Sequence, residues 1–177
     1  MRSSTTIRIV GIDPGSVVTG VGIIELAGTD PRMLHYEALK TPKNSLHGDR
    51  LLHIGSQLQD CFKKYSPNIA VIEKVFFGKN AQSAFKLGQA RGVCIYISRL
   101  YGLEIAEYTP REVKQYITGS GAADKDQVLQ VLVKLLGING DQPYDASDAL
   151  ALAYHHACHW HLRQRLLKFE SDLDKEL

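Results

Sequence analysis

Cysteine is scarce in this sequence. Cys61, Cys94 and Cys158 are the only three in 177 residues, and they are odd in number and far apart. A small secreted domain that depends on disulfides carries an even and more closely spaced set. We therefore expect three reduced thiols in the core of a cytoplasmic protein, and no disulfide framework.

Long apolar runs are missing as well. No uninterrupted apolar stretch approaches the roughly 18 residues that a membrane-spanning helix requires. The segment Met1–Thr6 shows no apolar run followed by a small-residue cleavage site. The sequence therefore predicts a protein that is neither inserted in a membrane nor exported.

The chain also has little net charge. Its 21 Lys and Arg residues and 19 Asp and Glu residues give a formal net charge of +2, which hardly favours an anionic partner. The bases are nevertheless concentrated in the middle of the chain, where they outnumber the acids between Lys74 and Lys125. An interaction with nucleic acid must therefore depend on where the charges lie.

Neither an internal repeat nor a flexible linker divides the chain. Hydrophobic residues make up 44% and charged residues 23%, as in ordinary globular proteins. We expect a single domain over residues 1–177, with its core at about 7–156. Residues 157–177 are expected to form the end of a C-terminal helix and a tail that is frayed from Lys168.

Segments rich in Val and Ile predict five strands. Ile7–Asp13 and Val17–Leu26 are separated by a Pro-Gly turn, which is typical of a hairpin. Three further strands are predicted at Met33–Leu39, Ile69–Glu73 and Leu103–Tyr108.

Apolar residues at helical spacing between Leu51 and Tyr65 predict the first helix. Thr109, Pro110 and Glu112 combine an N-cap, a proline at the first helical position and a capping-box glutamate. The predicted later helices are Asn80 to about Tyr101, Thr109–Gly119, Asp124–Leu136 and one that starts near Asp145. This order predicts an α/β fold in which helices flank a mixed sheet.

Two acids end apolar strands. Asp13 and Glu73 should both emerge at strand ends, where α/β proteins commonly build their sites. Local features alone favour a simpler role for Asp13, since an aspartate before Pro-Gly often caps the turn. Glu73 has an equally plausible alternative, as the first polar residue of a loop.

A second pair of acids, Asp145 and Asp148, is spaced to share one face of a helix, with Cβ atoms roughly 5–6 Å apart. Such a pair can also act as a capping box at the start of a helix. Alanines lie between and after these two acids. Such small residues would let this helix approach the sheet closely and bring the acids to the strand ends. These small residues are Ala146, Ala149, Ala151 and Ala153.

Four carboxylates in one place would repel one another and raise one or more pKa values unless cations are bound. Oxygen ligands without Cys or His suit Mg²⁺ or Mn²⁺ better than Zn²⁺. Two such ions about 3.5–4 Å apart are a common device for hydrolysing a phosphodiester. If the acids meet, the sequence predicts a two-ion site of this kind.

Several motifs, in this order, resemble the RuvC family of Holliday-junction resolvases. The resemblance covers roughly Ile7–His156, and Lys74 departs from it, since many relatives have glutamine there. The motifs are Gly11-Ile12-Asp13-Pro14-Gly15, Ile72-Glu73-Lys74-Val75-Phe76, Asn80-Ala81, Lys86-Leu87-Gly88-Gln89-Ala90-Arg91-Gly92, Val113-Lys114-Gln115 and Asp145-Ala146-Ser147-Asp148-Ala149-Leu150-Ala151.

The resemblance implies a ribonuclease-H-like fold, a homodimer and a magnesium-dependent endonuclease that cuts four-way DNA junctions. Asp13, Glu73, Asp145 and Asp148 would be its catalytic, metal-binding carboxylates. Each subunit would nick one strand and leave a 5′-phosphate and a 3′-hydroxyl, in recombination and DNA repair. RuvA and RuvB, the branch-migration proteins, would be partners.

The same resemblance suggests DNA contacts. Lys114 and Lys125 match positions that the family uses against the DNA backbone, and they flank a glycine-containing loop. Phe76 occupies the position of a residue that wedges against a base near the crossover. Lys79 and Arg91, from the same basic stretch, complete the expected DNA-binding set.

Three other interpretations compete. The first motif also resembles the phosphate loop of the actin and sugar-kinase superfamily, but those ATP-binding proteins need two lobes and this chain is short. A non-catalytic junction-binding module would use the acids only as caps. A zinc site at the C-terminal histidines lacks a complete tetrahedral ligand set, so we expect His155, His156, His159 and His161 to form a mixed surface and packing face.

Overall fold

The computed structural model describes residues 6–74, 81–141 and 143–173, and at 161–173 it describes the backbone alone. Ten helices and strands follow one another in these ranges. They are β1 (Thr6–Asp13), β2 (Val18–Ala27), β3 (Asp30–Lys40), α1 (His47–Tyr65), β4 (Ile69–Glu73), α2 (Ala81–Leu100), β5 (Glu104–Tyr108), α3 (Pro110–Thr118), α4 (Lys125–Leu136) and α5 (Tyr144–Leu173).

The five strands form one mixed sheet in the order β3-β2-β1-β4-β5. The first three strands pair antiparallel, and β4 and β5 add parallel to β1. The predicted fold class, a mixed five-stranded sheet flanked by helices, is confirmed. Because β1 and β4 are parallel neighbours, their C-terminal ends lie at the same edge of the sheet.

Side chains alternate between the two faces of the sheet, as strand geometry requires. Ile9 belongs to a buried cluster that includes Leu132 of α4 and Leu150 of α5. Its neighbour Val10 belongs to a second cluster with Leu58 of α1. The sheet is therefore covered by α1 and α2 on one face and by α3, α4 and α5 on the other.

Two helix starts follow the predicted chemistry. The Thr109 hydroxyl accepts a hydrogen bond from the Glu112 amide, and the Glu112 carboxylate accepts one from the Thr109 amide, which completes a capping box for α3. Asp124 and Gln127 form the same arrangement at α4. Gly137 ends α4 in the left-handed conformation, with φ +64°.

Two helix limits differ from prediction. Helix α1 begins at His47, four residues before the predicted start at Leu51. The apolar pattern did not reveal this first turn, because the turn is largely exposed and lacks apolar periodicity. Helix α5 continues to Leu173, so the prediction of a frayed tail is wrong for residues 168–173. Lys, Glu and Leu are good helix formers, which favours the continuation of α5.

Cys61 and Cys94 are free and buried, as predicted, whereas Cys158 is only partly buried. Within the described ranges, no helix is long and apolar enough to span a membrane.

Candidate active site

Asp13 and Glu73 end two neighbouring parallel strands. Ile12 pairs with Ile72 in the sheet register, so the next residue of each strand lies at the same level. Alternation turns both carboxyl groups to the face covered by α5. Their side chains approach within hydrogen-bonding reach of each other.

The pKa of Asp13 is raised from 3.8 to about 8, mainly by burial, with contributions from Glu73, Asp148 and Asp145 through their negative charges. Burial also raises the pKa of Glu73, although the Asp13 hydrogen bond and the charges of Lys125 and Lys114 act to lower it. Acids held in this way favour a proton or a cation beside them.

The alternative role of Asp13, as a cap for the turn after β1, is taken by Thr19. The Thr19 hydroxyl donates a 2.8 Å hydrogen bond to the Gly15 carbonyl and accepts one of 3.3 Å from the Gly15 amide. The turn is thus closed by another side chain, and the Asp13 carboxyl group faces Glu73.

Helix α5 lies very close to the sheet. A Cβ atom on Gly20, the partner of Asp13 in the sheet register, would lie 1.8 Å from the Asp145 carbonyl oxygen. A Cβ atom on Gly11 would lie 1.9 Å from the Ala149 carbonyl oxygen. Glycines on the strands therefore set the approach of α5, together with the alanines that the sequence analysis identified on the helix.

Asp148 lies one turn after Tyr144, the first residue of α5, and its carboxylate accepts a 2.6 Å hydrogen bond from the Lys125 ammonium. It is therefore engaged across the cleft and does not cap α5. Burial acts to lower the pKa of Lys125, but the hydrogen bond and the attraction of Asp148, Asp13 and Asp145 raise it overall.

One cleft of about 310 Å³ brings these groups together. Asp145 is not in its lining, although its charge acts on Asp13. The lining consists of Asp13, Glu73, Pro110, Val113, Lys114, Lys125, Val128, Asp148, Ala151 and Leu152. Three of the four predicted acids and two of the predicted bases thus share one cleft.

The donor atoms of the cleft suit a hard divalent ion, since they are carboxylate oxygens. In the described part of the chain, however, no three Asp, Glu, His or Cys side chains are close enough together to form a ready metal-binding group. The Lys125 ammonium provides the positive charge next to Asp148.

The other predicted DNA-binding residues are in different situations. Arg91 donates a 3.2 Å hydrogen bond to the Glu73 carbonyl oxygen and forms an ion pair with Glu107. These two contacts anchor the C-terminal end of β4 to α2 and β5. Phe76 and Lys79 lie outside the described residues.

The sequence analysis missed Glu107, Thr19 and the strand glycines. Glu107 lies on β5 and faces α2, so only the packed fold reveals its link to Arg91. The glycines carried a local signal, because Gly20 and Gly22 interrupt an otherwise apolar strand, which often marks close approach of another backbone.

Among the C-terminal histidines, His155 and His156 are buried and His159 is partly buried, whereas the side chain of His161 lies outside the described residues. The Tyr108 hydroxyl lies 2.9 Å from His156 Nδ1. Burial lowers the pKa of His155 to about 4. The part of the chain that the structure describes shows no metal-binding group at these residues.

Known proteins that resemble this chain are crossover junction endodeoxyribonucleases. The family model of crossover junction endodeoxyribonuclease RuvC matches residues 9–156. The protein of that name from Bdellovibrio bacteriovorus is 42% identical over 149 residues, which cover 84% of this chain and 89% of that protein. The one from Pseudoalteromonas atlantica is 39% identical over 167 residues, 94% of each chain.

Solved structures agree. Thermus thermophilus RuvC in complex with a Holliday junction substrate has a TM-score of 0.80 at 28% identity, with 88% of this chain and 96% of that one covered. A yeast mitochondrial Holliday junction resolvase, 13% identical, shares the fold with a TM-score of 0.65 over 96% of this chain and 84% of its own. The ribonuclease-H-like fold is thus confirmed, and the chain belongs to the RuvC family of crossover junction endodeoxyribonucleases.

Proposed function

We propose that this chain is an endonuclease that resolves four-way DNA junctions by paired nicks. The observation that carries the proposal is the cleft in which acids from β1, β4 and α5 lie beside Lys114 and Lys125. Each nick breaks a phosphodiester by attack of water and leaves a 5′-phosphate and a 3′-hydroxyl, which a ligase can seal.

The metal of this site is Mg²⁺, for which Mn²⁺ can substitute, with two ions in each site. Asp13, Glu73 and Asp148 would hold them, with Asp145 as the fourth acid. When bound, divalent ions supply the activation of water and the stabilisation of the leaving oxygen. The raised pKa values of Asp13 and Glu73 support this assignment, because a cation would relieve the repulsion that raises them.

The chain's own bases position the DNA. Lys114 and Lys125 line the cleft, where their ammonium groups can contact a phosphate. Lys125 would exchange Asp148 for the DNA backbone as cations reach the acids. Arg91 keeps the end of β4, and with it Glu73, in place, and its predicted DNA contact stays a prediction alongside those of Phe76 and Lys79.

The active form is a homodimer, since a two-fold enzyme suits a substrate with two equivalent strands. The exposed side of α2 supports this part of the proposal. Phe85 and Tyr96 are 70% and 64% exposed there, and a Cβ atom on Gly88 or Gly92 would contact nothing. Such an apolar strip is unusual on a monomer surface and suits a second copy of the chain.

The cellular setting follows from the function. We place the enzyme in the cytoplasm, in recombination and DNA repair, with RuvA and RuvB as the proteins that deliver the junction. Neither competing function is favoured, because a binding module gains nothing from burying Asp13 and Glu73 side by side, and the curated relatives are named as endonucleases and not as ATP-binding proteins.

A substrate comparison tests the proposal. The full chain with Mg²⁺ should cut a synthetic four-way junction at symmetrical positions on opposite strands, and the nicked products should be sealed by ligase. Linear duplex of the same sequence is the control and should stay intact. Equal cutting of junction and duplex, or binding of the junction without any cutting, would contradict the proposal.

A further inference from the structure

A second cleft, of about 560 Å³, lies beside α3 and α5. It is lined by Tyr108, Glu112, Gln115, Tyr116, His155 and His159. None of these residues has a role in the hydrolysis proposed above.

The two clefts are consecutive along α5. Asp148 and Leu152 line the catalytic cleft, and His155 and His159 continue the same helical face into the second one. Seven residues of helix separate Asp148 from His155, which is about 10 Å. A DNA strand held by its phosphate in the catalytic cleft can therefore extend into the second cleft.

Helix α3 separates the two clefts. Val113 and Lys114 point to the catalytic cleft, whereas Gln115 and Tyr116 point to the second one. A single short helix thus presents a phosphate-binding lysine to one cleft and an aromatic ring to the other.

The second cleft is aromatic and carries no Lys or Arg in its described lining. The Tyr116 ring centroid lies 5.0 Å from that of His155 and 4.4 Å from that of His159. Burial keeps His155 neutral. With Glu112 as its charged group, the cleft disfavours a phosphate and suits an uncharged planar group with hydrogen-bond donors.

His155 lines the second cleft with a ring nitrogen that is unpaired within the described ranges. The residue is only 6% exposed, and its Nδ1 atom has no hydrogen-bond partner among the described residues. An unpaired buried nitrogen costs free energy, so the wall of the cleft at His155 is not fully satisfied by the described part of the chain.

We propose that the second cleft receives an unstacked nucleobase of the DNA strand whose phosphate lies in the catalytic cleft. The base stacks on Tyr116 and His159, and Glu112 accepts a hydrogen bond from its amino or imino group. This inference rests on the proposed junction cleavage and adds a base-binding subsite to it. Tyr116 and His159 are positioning residues, because they hold the strand and do not touch the reacting atoms.

Photocrosslinking tests the subsite directly. Junctions carrying 5-iodouracil at successive positions around the cut site are bound to the full chain with Glu73→Gln, which keeps the DNA intact, and are irradiated. We expect a crosslink to Tyr116 or His159 from one position near the scissile phosphate. Crosslinks confined to other parts of the protein, with junction binding intact, would overturn the proposal.

Paired substitutions give a second readout. Tyr116→Ala should raise the KM for junction cleavage about tenfold, as expected for a lost base stack. Tyr116→Phe keeps the ring and should remain close to wild type. Leu135→Ala, at an exposed position on α4, is the control. Equal KM values for Tyr116→Ala and Tyr116→Phe would count against stacking, even if both variants lose stability.

The two proposals fail in different ways. A wild-type chain that does not cut the junction contradicts the proposed function. A wild-type chain that cuts it normally, and whose Tyr116→Ala variant shows neither a raised KM nor a lost crosslink, contradicts the base-binding subsite alone.

Discussion

Asp13 is the central acid of the cleft, next to Glu73 and within the influence of Asp148 and Asp145. It is held against Glu73 by the register of two parallel strands, and burial together with three neighbouring acids raises its pKa to about 8. The folded chain therefore retains a proton that the unfolded chain releases near pH 4. This costs stability whenever the solution favours the ionised form.

The melting temperature of the metal-free protein should consequently fall as the pH rises from about 6.5 to about 8, because below this window the lowered pKa of His155 has the opposite effect on stability. The folded pKa is above the unfolded value, so the stability present at low pH is lost through this window. Thermal unfolding in EDTA measures it. Asp13→Asn should flatten the dependence, whereas Asp60→Asn, at an exposed site on α1, should leave it unchanged. An equally steep fall in Asp13→Asn would contradict this account.

Lys114→Ala should weaken junction binding in a salt-dependent way. Loss of one phosphate contact lowers the slope of log K against log salt by about one. Fluorescence anisotropy at several salt concentrations measures it. Lys63→Ala on α1 is the control, because that ammonium is exposed and far from the cleft in sequence. An unchanged slope in Lys114→Ala would show that this lysine does not contact the backbone.

For single residues, the sequence predicted that acids and lysines lie in one site, but it did not predict all of the contacts that these side chains make. Lys114 and Lys125 line the cleft, and their predicted phosphate contacts stay a prediction. Arg91 engages Glu107 and the Glu73 carbonyl instead of facing the cleft. An ion pair between α2 and β5 depends on tertiary packing, and no local pattern in the sequence specifies it.

At the scale of elements, the contact between α5 and the sheet decides whether the acids meet. Gly11→Ala would place a Cβ atom 1.9 Å from the Ala149 carbonyl oxygen, so α5 must move. We expect a loss of about 2 kcal/mol or more in unfolding free energy, as for an overpacked core, and a large loss of cleavage.

Chemical denaturation and a cleavage assay measure both effects. Gly48→Ala is the matched control, since a Cβ atom there meets nothing within 4 Å and the residue lies in the first turn of α1. A Gly11→Ala protein with wild-type stability and activity would show that the close approach is unnecessary.

Helices and strands were predictable where the local chemistry is explicit. The capping residues Thr109 and Asp124 mark two helix starts, and both capping boxes are present. The parallel register that places Asp13 beside Glu73 was not predictable, because about 55 residues separate the two strands and their pairing depends on the packing of the whole sheet. The resemblance to a family provided what periodicity could not.

At the scale of the whole molecule, the proposed homodimer can be tested at the exposed side of α2. Phe85→Glu should shift the chain from dimer to monomer, because it places a charge on the exposed apolar side of α2. Analytical ultracentrifugation measures the change, and Leu135→Glu, on the exposed side of α4, is the control. Paired nicking should then decline to single nicks. A Phe85→Glu protein that remains dimeric would place the interface elsewhere.

The most direct measurement is the rate at which the full chain cuts a synthetic four-way junction with Mg²⁺, compared with EDTA and with the Asp13→Asn variant in Mg²⁺. We expect cleavage only in wild type with Mg²⁺, a loss of at least about 100-fold in Asp13→Asn, and junction binding that persists in the variant. Cutting by Asp13→Asn at the wild-type rate, or cutting in EDTA, would contradict a cleft of acids that works through divalent ions.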